Sequence, residues 1–204
     1  MDRVIFLDRD GTINEEVEYL HRPEDLRLLP GVGEAIRRLR EHGFAVVVVT
    51  NQAGVARGYY EEEDVTVLHD FMNEQLKEQG ACIDHFFYCP HHPVHGIGKY
   101  RVACHCRKPE TGMFLMAEQF YQVDKANSYM IGDKLLDVEA GHNYGVKSVL
   151  VGTGYGAETV ADMTEEEQKN AFEHYSPDLL SACLLYTSTR SFPREPENGR
   201  SWAM

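Results

Sequence analysis

Short runs with no polar face alternate along this chain with stretches whose apolar residues recur at helical spacing. Val4 to Leu7, Ala45 to Thr50, Phe86 to Tyr88, Tyr129 to Ile131 and Ser148 to Val151 are the short runs. A run that is apolar on both faces predicts a strand buried between two layers, as in a parallel sheet covered by helices. Val32, Ile36 and Leu39 fall on one stripe after Pro30-Gly31, with Gly43 as a stop. Glu61 to Gln79 predicts a long helix, acidic at its start, with Lys77 near its other end and Gly80 following. Gly112 to Gln122 and Leu135 to Tyr144 predict two more, the second ended by Gly145. Strands alternating with amphipathic helices predict a Rossmann-like three-layer α/β fold with right-handed crossovers and a mostly parallel sheet.

Composition narrows this picture. A chain of 204 residues, 43% of them hydrophobic, suits a single domain with a sizeable core, expected here over residues 1–182. Residues 183–204 lack a clear period after Leu185 and are expected to form a divergent or disordered tail. A net charge of −13 argues against a nucleic-acid backbone as partner, but a metal and a few local cations can still draw an anion into a cleft. No signal sequence or membrane span is apparent, so a cytoplasmic monomer acting on a small molecule is expected.

The candidate chemistry sits where strands end. Asp8 and Asp10 follow the first run, just before Gly11, and Asp133 follows the fourth, with Asp137 one helical turn later. Parallel strands bring such ends together, where open α/β sheets collect ligands. Asp8, Asp133 and the backbone near Asp10 can therefore supply oxygen ligands to Mg²⁺. Asp137 is expected to brace the loop from behind. Lys108 and the pair Thr50 and Asn51 add a cation, a hydroxyl and an amide that suit phosphate oxygens. Any one of these signals alone reads as a polar strand exit, an Asx-turn or a solvated basic pair. Together they predict phosphoryl transfer to Asp8, with Asp10 moving the proton.

Five cysteines form a second pattern. Cys89, Cys104 and Cys106 lie near His91, and this set suits a closed, structural Zn²⁺ site that pins a long loop beside Arg107 and Lys108. His92, His95 and His105 compete with His91 for the fourth position, and reduced cysteines packed without metal are the plainer alternative.

Five stretches resemble the haloacid-dehalogenase-type phosphatases, in the branch that includes heptose-bisphosphate and histidinol-phosphate phosphatases. They are Phe6 to Asn14, Thr50 to Gly58, Cys89 to Pro93, Cys104 to Pro109 and Ile131 to Lys134, and the similarity spans roughly residues 1–180. The resemblance implies a fold without a large cap domain. It implies that Asp8 is the nucleophile, Asp10 the acid/base, and Asp133 the residue completing the magnesium site. Thr50 and Lys108 would hold phosphate, while Asn51, Arg107 and Lys134 match substrate-contacting positions. Zinc would lie on Cys89, His91, Cys104 and Cys106. The activity implied is removal of the 7-phosphate from a heptose 1,7-bisphosphate, supplying lipopolysaccharide or surface glycans. Histidinol-phosphate hydrolysis is the alternative, followed by a non-catalytic binding protein on the same fold.

Overall fold

Val4 to Leu7 offer water no polar side chain, and the strand they form, β1 (Arg3–Leu7), is covered on both faces in the middle of a six-stranded sheet. In the computed structural model, which describes residues 1–187, the strand order is β3-β2-β1-β4-β5-β6. The other strands are β2 (Phe44–Asn51), β3 (His85–Cys89), β4 (Tyr129–Gly132), β5 (Lys147–Val151) and β6 (His174–Ser176). All five pairings are parallel, with Leu7 opposite Val48 on one side and Ile131 on the other.

Parallel neighbours need long crossovers, and helices supply them. These are α1 (Val32–Glu41), α2 (Ala53–Arg57), α3 (Glu62–Glu78), α4 (Gly112–Ala117), α5 (Leu135–Tyr144), α6 (Gly156–Ala161), α7 (Glu165–Ala171) and α8 (Leu179–Thr187). Alternation along each strand divides the core into two halves. Ile5, Leu7, Val46 and Val48 pack with Ile36 and Leu39 of α1, Leu68 and Met72 of α3, and Leu179 of α8. On the opposite face Val4, Phe6, Val47 and Val49 meet Phe114 of α4 and Tyr144 of α5. The Phe6 and Phe114 rings lie 4.8 Å apart there. The three layers are those the sequence predicts.

Two boundaries differ from expectation. The helix expected to reach Gln122 stops at Ala117, because the Phe120 and Tyr121 N–H groups both turn back onto the Ala117 carbonyl. That turn lets Gln122 donate to the Asp2 carboxylate and accept from the Asp2 N–H. The expected tail also begins too early. Leu179, Ala182, Cys183 and Tyr186 repeat at helical spacing, so Cys183 to Thr187 complete α8, which packs on α1. The remainder of the expected tail, 188–204, lies outside the described residues. Among the described residues no helix is long and apolar enough to cross a membrane.

The strand order reverses direction at β1, whose neighbours β2 and β4 lead to opposite edges. Loops diverge beyond such a switch point and leave a crevice at the carboxyl ends of the strands.

Candidate active site

Asp8 stands at the end of β1, tied by its N–H to the Ile131 carbonyl of β4 at 2.9 Å. Asp133 follows β4, and Asp137 lies in the first turn of α5, where its Oδ2 accepts the Lys134 N–H at 3.1 Å. One oxygen from each of these three buried carboxylates lies within 4.8 Å of the others. Two loops close tightly over Asp133. A Cβ on Gly11, whose φ is +78°, would come 2.3 Å from Asp133 Oδ2, and one on Gly154 would come 2.2 Å from the same atom. The Tyr155 N–H also donates to Oδ2, at 3.0 Å, while Oδ1 is buried without a hydrogen-bond partner.

Lys108 is buried between two of the carboxylates, its Nζ 2.8 Å from Asp8 Oδ1 and 2.6 Å from Asp137 Oδ1. Burial alone would raise the Asp8 carboxyl, but the charges of Lys108 and Lys134 outweigh it and hold Asp8 below its ordinary value. Burial pulls the Lys108 ammonium down, and Asp137 with Asp8 reverses this and keeps it charged. Asp133 behaves differently. Burial first, and the Asp8 carboxylate second, push it up to about 7. Asp8, Asp133 and Asp137 carry three negative charges when ionised, against the two positive charges of Lys108 and Lys134. Lys134 Nζ is moreover paired with Glu16 at 2.9 Å and is 3.9 Å from Asp133. An orphaned carboxylate oxygen in a site short of positive charge fits a hard divalent cation such as Mg²⁺.

Asp10 faces other groups. Its Oδ1 accepts from Arg9 Nε at 3.1 Å and Asn14 Nδ2 at 3.0 Å, and its Oδ2 from Arg9 Nη2 at 3.0 Å and Gln52 Nε2 at 3.2 Å. With its side chain so engaged, Asp137 takes its place beside Asp8 and Asp133 in the carboxylate cluster. A cleft of roughly 300 Å³ opens over the group, with Asp8, Asp10, Thr50, Asn51, Arg107 and Lys134 in its wall. The Thr50 hydroxyl accepts from Gln52 at 2.9 Å, which leaves its own proton free. Asn51 exchanges two hydrogen bonds with the Lys108 backbone, at 3.0 and 3.2 Å, and thereby ties β2 to the lysine loop. Arg107 donates to the His91 carbonyl at 3.1 Å, which fastens it to the cysteine-bearing loop.

That loop brings Cys89, His91, Cys104 and Cys106 together. Cys89 Sγ is 3.5 Å from Cys104 Sγ and 3.1 Å from Cys106 Sγ; His91 Nδ1 is 3.9, 3.2 and 3.7 Å from the three sulfurs in chain order. A tetrahedral zinc with Zn–S of about 2.3 Å and Zn–N of about 2.0 Å separates its ligands by roughly 3.5–3.8 Å. The Cys106 N–H donates to Cys104 Sγ at 3.3 Å. The sixth edge departs from expectation: Cys104 and Cys106, expected as separate thiolates, are in disulfide contact. The intervening His105 turns outward to solvent, so both sulfurs point the same way. The other histidines stand apart. His92 Nδ1 accepts the Val94 and His95 N–H groups, and His105 lies beside Glu110.

The chain matches the HAD-hydrolase-like family over residues 105–182. The D-glycero-β-D-manno-heptose-1,7-bisphosphate 7-phosphatase of Haemophilus ducreyi is 46% identical over 154 residues, covering 74% of this chain and 84% of that protein. That of Escherichia coli K12 is 46% identical over 152 residues, covering 74% and 79%. Among solved structures, the D,D-heptose 1,7-bisphosphate phosphatase of B. bronchiseptica, complexed with magnesium and phosphate, aligns with a TM-score of 0.77 and 34% identity. It covers 90% of this chain and 97% of its own. The chain belongs to the heptose-bisphosphate phosphatase branch of the HAD hydrolases.

The site of this HAD hydrolase also contains residues that sequence reasoning passed over. Arg9, 1% exposed, grips Asp10, and Gln52 bridges Asp10, Arg9 and Thr50. Glu16 reaches 118 positions along the chain to hold Lys134. Arg9 and Gln52 both fall inside stretches that carry the resemblance. Glu16 had no signal, because its segment is irregular.

Proposed function

We propose that this chain removes the 7-phosphate of D-glycero-D-manno-heptose 1,7-bisphosphate through a phospho-aspartate on Asp8. The substrate rests on 46% identity, over about three quarters of the chain, with enzymes of that activity. The chemistry rests on one observation above all: Asp8, held ionised beside Lys108, lies in one buried cluster with Asp133, whose Oδ1 has no hydrogen-bond partner.

Magnesium would be held by the Asp8 and Asp133 carboxylates and the Asp10 main-chain carbonyl. Bound there, it supplies the missing positive charge and polarises the phosphoryl oxygens. Lys108 and the Thr50 hydroxyl bind the remaining oxygens and stabilise charge as it develops. The Asp8 oxygen that is not on the metal forms a bond to phosphorus as the phosphorus–sugar oxygen bond breaks. The electron pair leaves on the sugar oxygen, and Asp10 gives that oxygen its proton. Asp10 then takes a proton from the water that attacks phosphorus, returning Asp8 as a carboxylate. Asp137 keeps Lys108 in line and stays off the metal. Arg107, Lys134 and the second N–H of Asn51 border the cleft where the rest of the bisphosphate would lie.

In the same reading the reduced cysteines hold a structural zinc with His91, and this fixes the loop that carries Arg107. The enzyme is a single domain without a large cap and works as a cytoplasmic monomer. A comparison of kcat/KM for heptose 1,7-bisphosphate and histidinol phosphate tests the substrate. A preference for the heptose ester is expected, and a preference for histidinol phosphate would overturn it.

A further inference from the structure

Arg9 has no part in the chemistry above, yet its side chain is almost wholly buried and donates to five acceptors. Nε and Nη2 grip the two oxygens of Asp10, Nη2 also reaches the Leu20 carbonyl at 3.2 Å and Gln52 Oε1 at 3.1 Å, and Nη1 meets His69 Nε2 at 3.2 Å. His69 comes from α3, is 4% exposed, and stacks on Phe86 with ring centroids 4.5 Å apart. A guanidinium has only donors, so His69 Nε2 must accept and the ring carries its single proton on Nδ1. Burial, then the neighbouring Arg9 charge, keep the imidazole well below its ordinary pKa, in agreement with that tautomer.

We propose that Arg9, anchored by His69, is a positioning residue that fixes the plane of the Asp10 carboxylate for proton transfer, so that a histidine touching no substrate governs protonation of the leaving group. This rests on Asp10 being the proton carrier of the proposed reaction. Two parallel charged hydrogen bonds hold a carboxylate in one plane, which a single contact does not. Asp10 has four donors around it, which fill the acceptor positions of its two oxygens. One donor must therefore withdraw when Asp10 takes a proton. The Gln52 contact, from a neutral amide, is the longest of the four at 3.2 Å. The Arg9 fork stays, because His69, Gln52 and Leu20 hold it from behind. Proton transfer is steep in geometry, so a carboxylate free to rotate loses part of the roughly 10²–10⁴-fold that acid/base catalysis contributes.

The test uses two esters. An alkyl leaving group such as the heptose 7-oxygen needs a proton, whereas p-nitrophenolate departs as a stable anion. The ratio of kcat/KM for heptose 1,7-bisphosphate to that for p-nitrophenyl phosphate isolates this proton, because a purely structural defect lowers both together. In His69→Leu the ratio is expected to fall about 10-fold or more. His69→Gln, whose amide oxygen can accept from Arg9, is expected to restore it. Arg9→Lys keeps the charge without the fork and opens no gap beside Phe86, and it is expected to lower the ratio as His69→Leu does. A ratio unchanged in both His69→Leu and Arg9→Lys would overturn the proposal. A wild-type protein that hydrolyses neither ester would remove the phosphatase reading itself.

Discussion

Asp8 and Asp10 stand two positions apart on one strand end, and their neighbours divide the labour between them. Asp8 touches Lys108 and shares its space with Asp133, whereas Asp10 is surrounded by Arg9, Asn14 and Gln52. Asp10→Asn keeps the shape of the side chain and leaves the main-chain carbonyl in place. Turnover is expected to fall about 10²–10⁴-fold with magnesium binding retained, as steady-state rates and calorimetry would measure; unchanged turnover would take Asp10 out of the reaction. Asp133 supports a pH prediction. In the ion-free fold it keeps its proton up to about pH 7, whereas in the unfolded chain it releases it near 4. The folded state thus binds the extra proton between these values, and stability is lost as pH rises through them. Magnesium removes that penalty, so the rise in Tm on adding it should be larger at about pH 8 than at about pH 5. Equal rises would contradict the assignment of Asp133 to the ion. At this scale the sequence was legible where residues abut strand ends, as with Asp8, Thr50 and Asp133. It was silent on Glu16 and His69, whose roles depend on contacts 118 and 60 positions away.

At the scale of elements, the long connection between β3 and α4 has little regular structure of its own. It holds to the body through a few points. Tyr88 of β3 and Tyr100 of the loop both donate to Glu62 of α3, at 3.0 and 2.7 Å. The two Asn51 bonds to the Lys108 backbone are another point, and the Cys89, His91, Cys104 and Cys106 cluster is a third. Zinc and a Cys104–Cys106 disulfide compete for the same two sulfurs, because a metal needs both as thiolates. Protein purified under reducing conditions is expected to retain about one zinc per chain after dialysis. Cys104→Ser should release that zinc and loosen the loop to proteolysis, with less effect on magnesium affinity. A fully active protein with no zinc and an intact disulfide would contradict the metal assignment. Periodicity placed β1 to β5, α1, α3 and α5 to within a residue or two and gave no reading for α6, α7 or β6. It overran α4, where a tight turn replaces the last helical residues, and it undervalued α8, whose apolar spacing was present from Leu179 to Tyr186. The short helix α2 leaves no helical signal in the sequence, because it spans five residues and carries Gly54 inside it and Gly58 at its end. A Cβ on Gly54 would come 2.1 Å from the Tyr60 ring, so the helix needs that glycine to pack.

At the scale of the whole molecule, a net charge of −13 coexists with a crevice walled by Lys108, Lys134 and Arg107. The fold makes this possible by carrying its cations on loops beyond the strand ends, where β2, β1 and β4 deliver Thr50, Asp8 and Asp133 side by side. The α/β class and the position of the crevice followed from the alternation of strands and helices. The substrate did not, since fold and motif serve several phosphate esters and only likeness to named relatives separates them. The step proposed here for any of these esters is transfer of the phosphoryl group to one carboxylate, Asp8. Rapid acid quench during turnover of heptose 1,7-bisphosphate with magnesium, followed by borohydride reduction and peptide mass spectrometry, reads that step directly. The expected result is an acyl-phosphate reduced at Asp8 and nowhere else, dependent on magnesium and absent from Asp8→Asn. Full turnover with no modification at Asp8 would contradict it.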